Sequence, residues 1–304
     1  MLPCDRLSDG RLTRNTDLPE EVLRPRVAKL PAHPNSCAAT TAGIIDGTSS
    51  AISSPVRAGP RMLIVEDIER QGRWLFRWRG YLPVLILAVS ALAIATSAAQ
   101  RQDSLRWDVA CLLVSSIGLL IRAITIGHTP AGTSGRTAKR QIAQALNTTG
   151  MYSLVRHPLY LGNFFLMLGV VLFAGSLWLT LLYVPSFWLY YERIMAAEEA
   201  FLEASFGAAL AAWSVATPAF IPRFSGWVRP ALGFSLKNVL RREYNGFFAI
   251  FASMFLLDVT RQWVAFGRLQ ADARWIALLG AAMLVWATLR SLKRYTSLLR
   301  VKGR

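Results

Sequence analysis

Apolar and polar positions along this chain fall into separate blocks. Residues 1–61 are rich in Pro, Ser, Thr, Ala and Gly and show no sustained apolar period. Such a segment has too little apolar surface to bury and predicts disorder. From Met62 the texture changes: Ile64, Ile68, Leu75 and Phe76 recur among charges at roughly helical spacing, with Trp74 and Trp78 as interfacial aromatics. This predicts an amphipathic helix over 62–80, lying on a membrane surface. Met62 is then a candidate translation start, with a genuine disordered tail as the alternative. No early basic stretch leads into an apolar core, so a cleavable signal peptide is not expected.

Six apolar runs follow, over 81–99, 107–126, 159–174, 177–191, 247–259 and 274–292. The first two approach the roughly 20 residues that a bilayer requires. The third and fourth are shorter and are joined by Gly175-Ser176, too tight for anything but a helical hairpin. Pro185 should kink the second arm of that hairpin, which continues as a helix past Glu192. The fifth reaches Phe266 only by including Arg261, and the sixth holds its apolar stretch between Trp275 and Leu289. The expectation is an all-α, polytopic membrane protein of about six spans, occupying 81–304.

Composition agrees with that reading. The 304 residues are 53% hydrophobic and 17% charged, with a mean hydropathy of +0.35, whereas soluble domains carry about 25% charged residues. A net charge of +16 raises nucleic acid as a partner. The basic residues, however, sit in short clusters between apolar runs, which is a membrane pattern. Every second loop is basic: Arg70, Arg73, Arg77 and Arg79 precede the first run, and Arg136, Lys139, Arg140 and Arg156 follow the second. Arg223, Arg229, Lys237, Arg241 and Arg242 follow the fourth, and Lys293, Arg294 and Arg300 the last. Both termini are therefore expected in the cytoplasm, with a bacterial inner membrane as the location. Cys4, Cys37 and Cys111 lie far apart, and with only three histidines neither a disulfide framework nor a metal site is expected.

Charged residues are costly near lipid, so a cluster of them marks a candidate site. Residues 150–162 read GMYSLVRHPLYLG, and Glu198-Glu199 follow beyond the apolar hairpin. The two segments meet at the feet of that hairpin. Pro158 should hold His157 out of helical geometry and open the third run as its first helical residue. Asn147, just before Thr148-Thr149-Gly150, predicts a turn. Glu192, Glu199 and Glu203 share one expected helix face. Arg156 and Arg193 are the candidate anchors for an anionic acceptor, because guanidinium matches carboxylate or phosphate bidentately. Arg122 reads as an interfacial residue, with lining the cavity as the alternative. The 234–248 segment reads as a surface helix on anionic headgroups, with Glu243 and Tyr244 within reach of the site.

These residues resemble a known family. Tyr152, Arg156-His157-Pro158, Tyr160 and Gly162, then Arg193-Ile194, Glu198-Glu199, Leu202, Phe206-Gly207 and Pro222-Arg223, are similar to the core of isoprenylcysteine carboxyl methyltransferase-like and phospholipid methyltransferase-like membrane enzymes. The resemblance covers roughly 118–224. It implies a methyltransferase with S-adenosylmethionine as cofactor at the cytoplasmic face and a lipid or lipidated acceptor entering from the bilayer. It further implies that Tyr152, His157, Pro158, Tyr160 and Gly162 shape the cofactor pocket, and that Glu198 and Glu199 hold the cofactor's cationic portions. Leu210 and Trp213 stand where family members usually place tyrosines.

Two other readings compete. A membrane reductase related to sterol reductases would need a basic pocket for a 2′-phosphate, and Glu198-Glu199 speak against it. A non-catalytic scaffold would have no need of an intact motif beside an intact glutamate pair.

Overall fold

The computed structural model describes residues 60–96, 104–130, 145–301 and 303. The expectations for residues 1–59 and for the basic approach over 132–144 lie outside the described residues. All the regular structure described is helical. Helix α1 (Pro60–Trp78) turns at Arg79–Tyr81 into α2 (Leu82–Thr96), the pair being bent by 79°. Then come α3 (Leu105–Gly127), the single turn α4 (Met151–Leu154), α5 (Pro158–Phe173), α6 (Leu177–Phe206), α7 (Ala208–Ala216), α8 (Leu236–Phe266) and α9 (Ala273–Tyr295).

The described part of each expected apolar run is helical, but length and apolarity do not confirm a count of six spans. Among the described residues, three helices, α3, α8 and α9, are long and apolar enough to cross a bilayer, or four if the bent α1–α2 pair is one span. Helix α5 has 16 residues, short of the roughly 20 that a span requires. Helix α6 runs unbroken for 30 residues through Pro185. Its second half is amphipathic and carries the glutamate pair.

The most extensive packing is between α3 and α5, and small residues make it possible. A Cβ on Gly118 would lie 2.4 Å from the Gly162 carbonyl oxygen, and one on Gly169 would lie 2.1 Å from Ser115 Oγ. Ser115 Oγ also donates to the Leu166 carbonyl at 3.0 Å. Close backbone approach and interhelical hydrogen bonds are what hold helices together where lipid removes the hydrophobic drive. The core then gathers Phe173, Ile194, Met254 and Leu257, all fully buried. Leu85, Leu113, Leu181 and Leu284 point outward and are exposed, as lipid-facing positions are.

The two ends of the bundle differ in chemistry. At one end Trp107 Nε1 donates to the Leu172 carbonyl at 3.1 Å and Arg261 Nη2 to that of Phe173 at 2.9 Å. Both side chains cap the C-terminal end of α5, where the Leu172 carbonyl also accepts the Gly175 N–H at 2.9 Å. Gly175, with φ +75°, turns the chain into α6. Asp258 is buried and accepts the Asp272 N–H at 3.0 Å. The other end brings together the end of α3, the starts of α2, α5 and α8, and the second half of α6. A cavity lies there.

Helix α1 does not simply lie on a surface. Gly72 abuts the α6 backbone so tightly that a Cβ would fall 1.9 Å from the Arg193 carbonyl oxygen. Tyr190 OH donates to the Leu75 carbonyl at 3.1 Å. One face of α1 is thereby docked on α6, while Trp74, Trp78 and Tyr81 form an exposed aromatic ladder.

Candidate active site

The signature loop is shaped by backbone constraints. Asn147 Oδ1 accepts from both the Thr149 N–H and its hydroxyl at 3.2 Å, closing the expected turn. Gly150 enters α4 with φ +62°, a conformation that costs glycine little. Residues 155–157 then leave the helix, with Val155 extended, and are braced by the segment after α7. The Arg156 N–H donates to the Pro218 carbonyl at 2.8 Å, the His157 N–H to that of Ala219 at 3.2 Å, and the Arg223 N–H to that of Leu154 at 2.9 Å. Phe220, on the same segment, wedges among Phe164, Phe187 and Trp188. Pro158 opens α5 at its N-terminus, as expected, and leaves His157 as a non-helical cap aimed at α6.

There His157 meets both glutamates. Its Nε2 lies 2.9 Å from Glu199 Oε1 and its Nδ1 3.6 Å from Glu198 Oε2. An imidazolium donates from both nitrogens, which suits two carboxylates. Burial alone would lower the His157 pKa, but the hydrogen bonds and charges of the two glutamates outweigh it and raise the value. Burial would raise that of Glu199, yet His157 and Arg156 outweigh it and hold the value below the usual carboxylate range. Tyr160 OH donates to Glu198 Oε1 at 2.6 Å. Arg156 Nε stands 3.2 Å from Glu199 Oε1, an ion pair without hydrogen-bond alignment, so this buried donor has no hydrogen-bond partner. A buried donor left in that state points to a missing acceptor.

These groups line one wall of a cavity of about 440 Å³. Its floor is apolar, with Ile126, Leu166, Met167 and Ala249. Tyr152 also lines it, held through its carbonyl by Trp213 Nε1 at 3.1 Å. Burial and the nearby Glu198 charge push the Tyr152 phenol up. Trp213 lines the cavity as well, while Leu210 is buried, is not among the lining residues and has no hydroxyl to offer.

Of the residues singled out from sequence, Tyr152, Arg156, His157, Pro158, Tyr160, Glu198 and Glu199 come together here. Two do not. Arg193 precedes Glu198 by five residues, about 140° round a helix of 3.6 residues per turn. It turns instead to α1, where its Nε donates to Gln71 Oε1 at 2.8 Å and its Nη1 to the Leu189 carbonyl at 2.7 Å. Gly162 faces α3 rather than the cavity: a Cβ there would fall 2.4 Å from Arg122 Cγ. Glu192 and Glu203 are exposed, so the expected acidic stripe reduces to the adjacent pair.

Other cavity residues were less legible in the sequence, Arg122 lining the cavity as the second of its two readings. Arg122, read as interfacial, is bidentate to Glu243 at 2.7 and 2.9 Å and donates to Asn163 Oδ1 at 2.6 Å. That bond orients the Asn163 amide, which donates to Tyr191 OH at 3.1 Å. A charged residue in an apolar run was the available signal for Arg122. Asn163 and Arg79 carried none. Among the described residues, no group of three or more His, Cys, Asp or Glu is placed to hold a metal ion.

Comparisons with known proteins converge on this region. Residues 109–209 match the phospholipid methyltransferase family model. The nickel-cobalt-cadmium resistance protein NccN of Alcaligenes xylosoxydans is 31% identical over 144 residues, 46% of this chain and 63% of that protein. The cobalt-zinc-cadmium resistance protein CzcN of Cupriavidus metallidurans is 34% identical over 40% of this chain and 55% of its own length. The protein-S-isoprenylcysteine O-methyltransferase of Schizosaccharomyces pombe is 34% identical over 28% and 36%. The chain thus spans less than two thirds of each of these relatives. No solved structure matches.

Proposed function

We propose, from the match of residues 109–209 to the phospholipid methyltransferase family model, that the chain is an S-adenosylmethionine-dependent methyltransferase acting on a lipid or lipidated acceptor at the cytoplasmic face of the membrane. The observation that carries this reading is the meeting of both signs of charge on one wall of the cavity. His157, Tyr160 and Arg156 bind the Glu198-Glu199 pair there, and Arg156 Nε is left wanting an acceptor.

The donor set suits the cofactor. Its amino-acid end carries an ammonium and a carboxylate, and its sulfonium adds a second positive charge. Glu198 and Glu199 offer the anionic partners, and Arg156 offers a cationic one. When bound, S-adenosylmethionine supplies an electrophilic methyl group on sulfur and leaves as a neutral thioether. The chain's own residues position and desolvate. His157 holds the two carboxylates in place and, with Arg156, favours the ionised form of Glu199, Tyr160 orients Glu198, and the apolar floor excludes water. Positioning in a dry site is the main lever for an acceptor already ionised at neutral pH. Arg156 remains the anchor proposed for an anionic acceptor or for the cofactor's carboxylate. Arg193, turned toward Gln71, is not carried forward in that role.

The test is calorimetric titration of S-adenosylmethionine, and separately of NADPH, into detergent-purified protein. Saturable binding of the first and none of the second is expected. Glu199→Ala and His157→Ala should each weaken binding by about 10- to 100-fold, since hydrogen bonds to charged groups are worth about 1.5–3 kcal/mol. Circular dichroism should show both variants folded. Unchanged affinity in both would sink the pocket assignment, and binding of NADPH alone would favour a reductase.

A further inference from the structure

The segment after α7 has an inner and an outer side of different chemistry. Its inner side is bonded to the signature loop along its length. Beyond the backbone bonds at Arg156, His157 and Arg223, the Gly150 N–H donates to the Val228 carbonyl at 2.9 Å. The Val228 N–H donates to Ser153 Oγ at 2.9 Å, and Ser153 Oγ to the Gly150 carbonyl at 2.7 Å. Gly226 sits so close that a Cβ there would lie 3.1 Å from the Ser153 carbonyl oxygen. Residues 217–231 are thus a strap across the loop that presents His157. A contact that favours the docked strap favours the loop geometry with it.

The outer side is apolar and basic. Ile221 and Phe224 are 77% and 78% exposed, and Trp227 and Val228 are about half exposed. Arg223 and Arg229 are exposed among them. Large apolar side chains presented together mark a surface that something covers, and charge identifies the cover. Between Glu203 and Glu243 the chain has no acidic residue, but it has Arg223, Arg229, Lys237, Arg241 and Arg242. Rings and aliphatic groups interleaved with bases of one sign fit an anionic bilayer surface. Aromatics settle there at headgroup level, and the bases meet anionic lipid.

The level agrees. Phe220, at the start of the strap, packs on Trp188 with ring centroids 5.5 Å apart. Trp188 and Leu189 are the last exposed large apolar residues of α6, and Glu192, just beyond, is exposed. The strap therefore begins where the lipid-facing wall of α6 ends.

We propose that residues 217–231 are an interfacial strap. Phe224, Trp227, Arg223 and Arg229 bind the surface of a bilayer that contains anionic lipid, and that contact steadies the signature loop and strengthens binding in the cavity. The lipid acts here as a regulator read at the surface, distinct from the methyl acceptor. The lipid contact stands on its own, while its coupling to the cavity rests on the cofactor reading above.

Two measurements on the full chain test these two halves, in nanodiscs of phosphatidylcholine with and without phosphatidylglycerol. For the first, Val228→Cys carries a nitroxide in a background with Cys4, Cys37 and Cys111 replaced by Ser. With phosphatidylglycerol present, lipid-soluble oxygen should relax the label more than a water-soluble nickel chelate does. Adding Phe224→Ala and Trp227→Ala should shift the label toward the chelate. A label dominated by the chelate in both lipids overturns the proposal and leaves the patch to a soluble protein partner.

For the second, calorimetry gives the affinity for S-adenosylhomocysteine. Its net charge is zero at neutral pH, so the membrane's surface potential does not concentrate it. Phosphatidylglycerol should tighten binding by about fivefold or more, the low end of coupling between sites. Arg229→Gln should lose most of that gain, with affinity in phosphatidylcholine alone unchanged. Arg229→Lys should keep it, because an anionic surface reads the charge and not the planar fork. Equal affinity in both lipids, from wild-type protein that binds the nucleoside, overturns the coupling and leaves the cofactor reading in place. Equal weakening of Arg229→Gln in both lipids also overturns it, by making Arg229 a structural residue. Failure to bind the nucleoside in either lipid removes the cofactor reading and the coupling together, while the nitroxide still decides the lipid contact.

Discussion

At the residue scale, His157 works as the keystone of a small charge cluster. It is buried, reaches two carboxylates and stacks on Tyr160 at 5.7 Å. Its raised pKa and the lowered one of Glu199 have consequences of opposite sign for stability. A raised histidine contributes stability that is complete below its unfolded value, about 6.5, and that fades as pH rises through the folded value. A lowered glutamate contributes stability that is complete above about 4.3 and that fades as pH falls through the folded value. Thermal stability in detergent should therefore be highest between those limits and decline on the alkaline side. His157→Gln should flatten the alkaline decline, and a variant whose pH profile matched wild type would refute the linkage. Sequence had pointed to His157 and the glutamate pair because motif and spacing are local. It could not assign Arg193 correctly, since a shift of five residues on α6 moves a side chain to a different face.

At the scale of elements, the α3–α5 seam decides where the site's floor sits. Gly118, Gly162 and Gly169 bring two backbones together, and Gly162 leaves just enough room for the stem of Arg122. Arg122 in turn bridges α3, α5 and α8 through Asn163 and Glu243. Filling the seam should be costly. Gly169→Leu is expected to destabilise the protein by about 1–3 kcal/mol or more, in the range of overpacked cores, with a lowered melting temperature. Gly280→Leu on α9, where a new Cβ meets nothing within 4 Å, serves as the neutral control. An equal effect at both positions would mean that the seam is not what holds the bundle. A tight interface was not legible from either helix alone. Glycines in an apolar run read the same whether they face lipid, a ligand or another helix.

At the scale of the whole molecule, the helices alternate so that every element end contributing to the cavity is one that the basic-loop pattern assigns to the cytoplasm. The opposite end holds the Trp107, Arg261 and Asp258 contacts. This orientation is open to a direct check in a background with Cys4, Cys37 and Cys111 replaced by Ser. A cysteine at Ser225, which is exposed beside the cavity end, should react with an impermeant maleimide only in inverted membrane vesicles. One at Leu269, 80% exposed at the other end, should react only in right-side-out preparations. The reverse pattern would invert the topology and move the site out of the cytoplasm.

Sequence alone determined that the regular structure of the described residues is helical and that the chain is apolar in blocks and basic in every second loop. It also brought His157 and the glutamate pair into one candidate site, because hydropathy, proline geometry and motif spacing are properties of neighbouring residues. Tertiary structure decided how many helices are long enough to span, where α1 docks and which charges share a cavity. Arg79, Arg122 and Arg193 are all arginines at the edges of apolar runs. One leans on Glu198, one is bidentate to Glu243, and one turns away to Gln71. Those differences depend on helix rotation and on backbones meeting at small residues, which are set by packing between segments far apart in the chain.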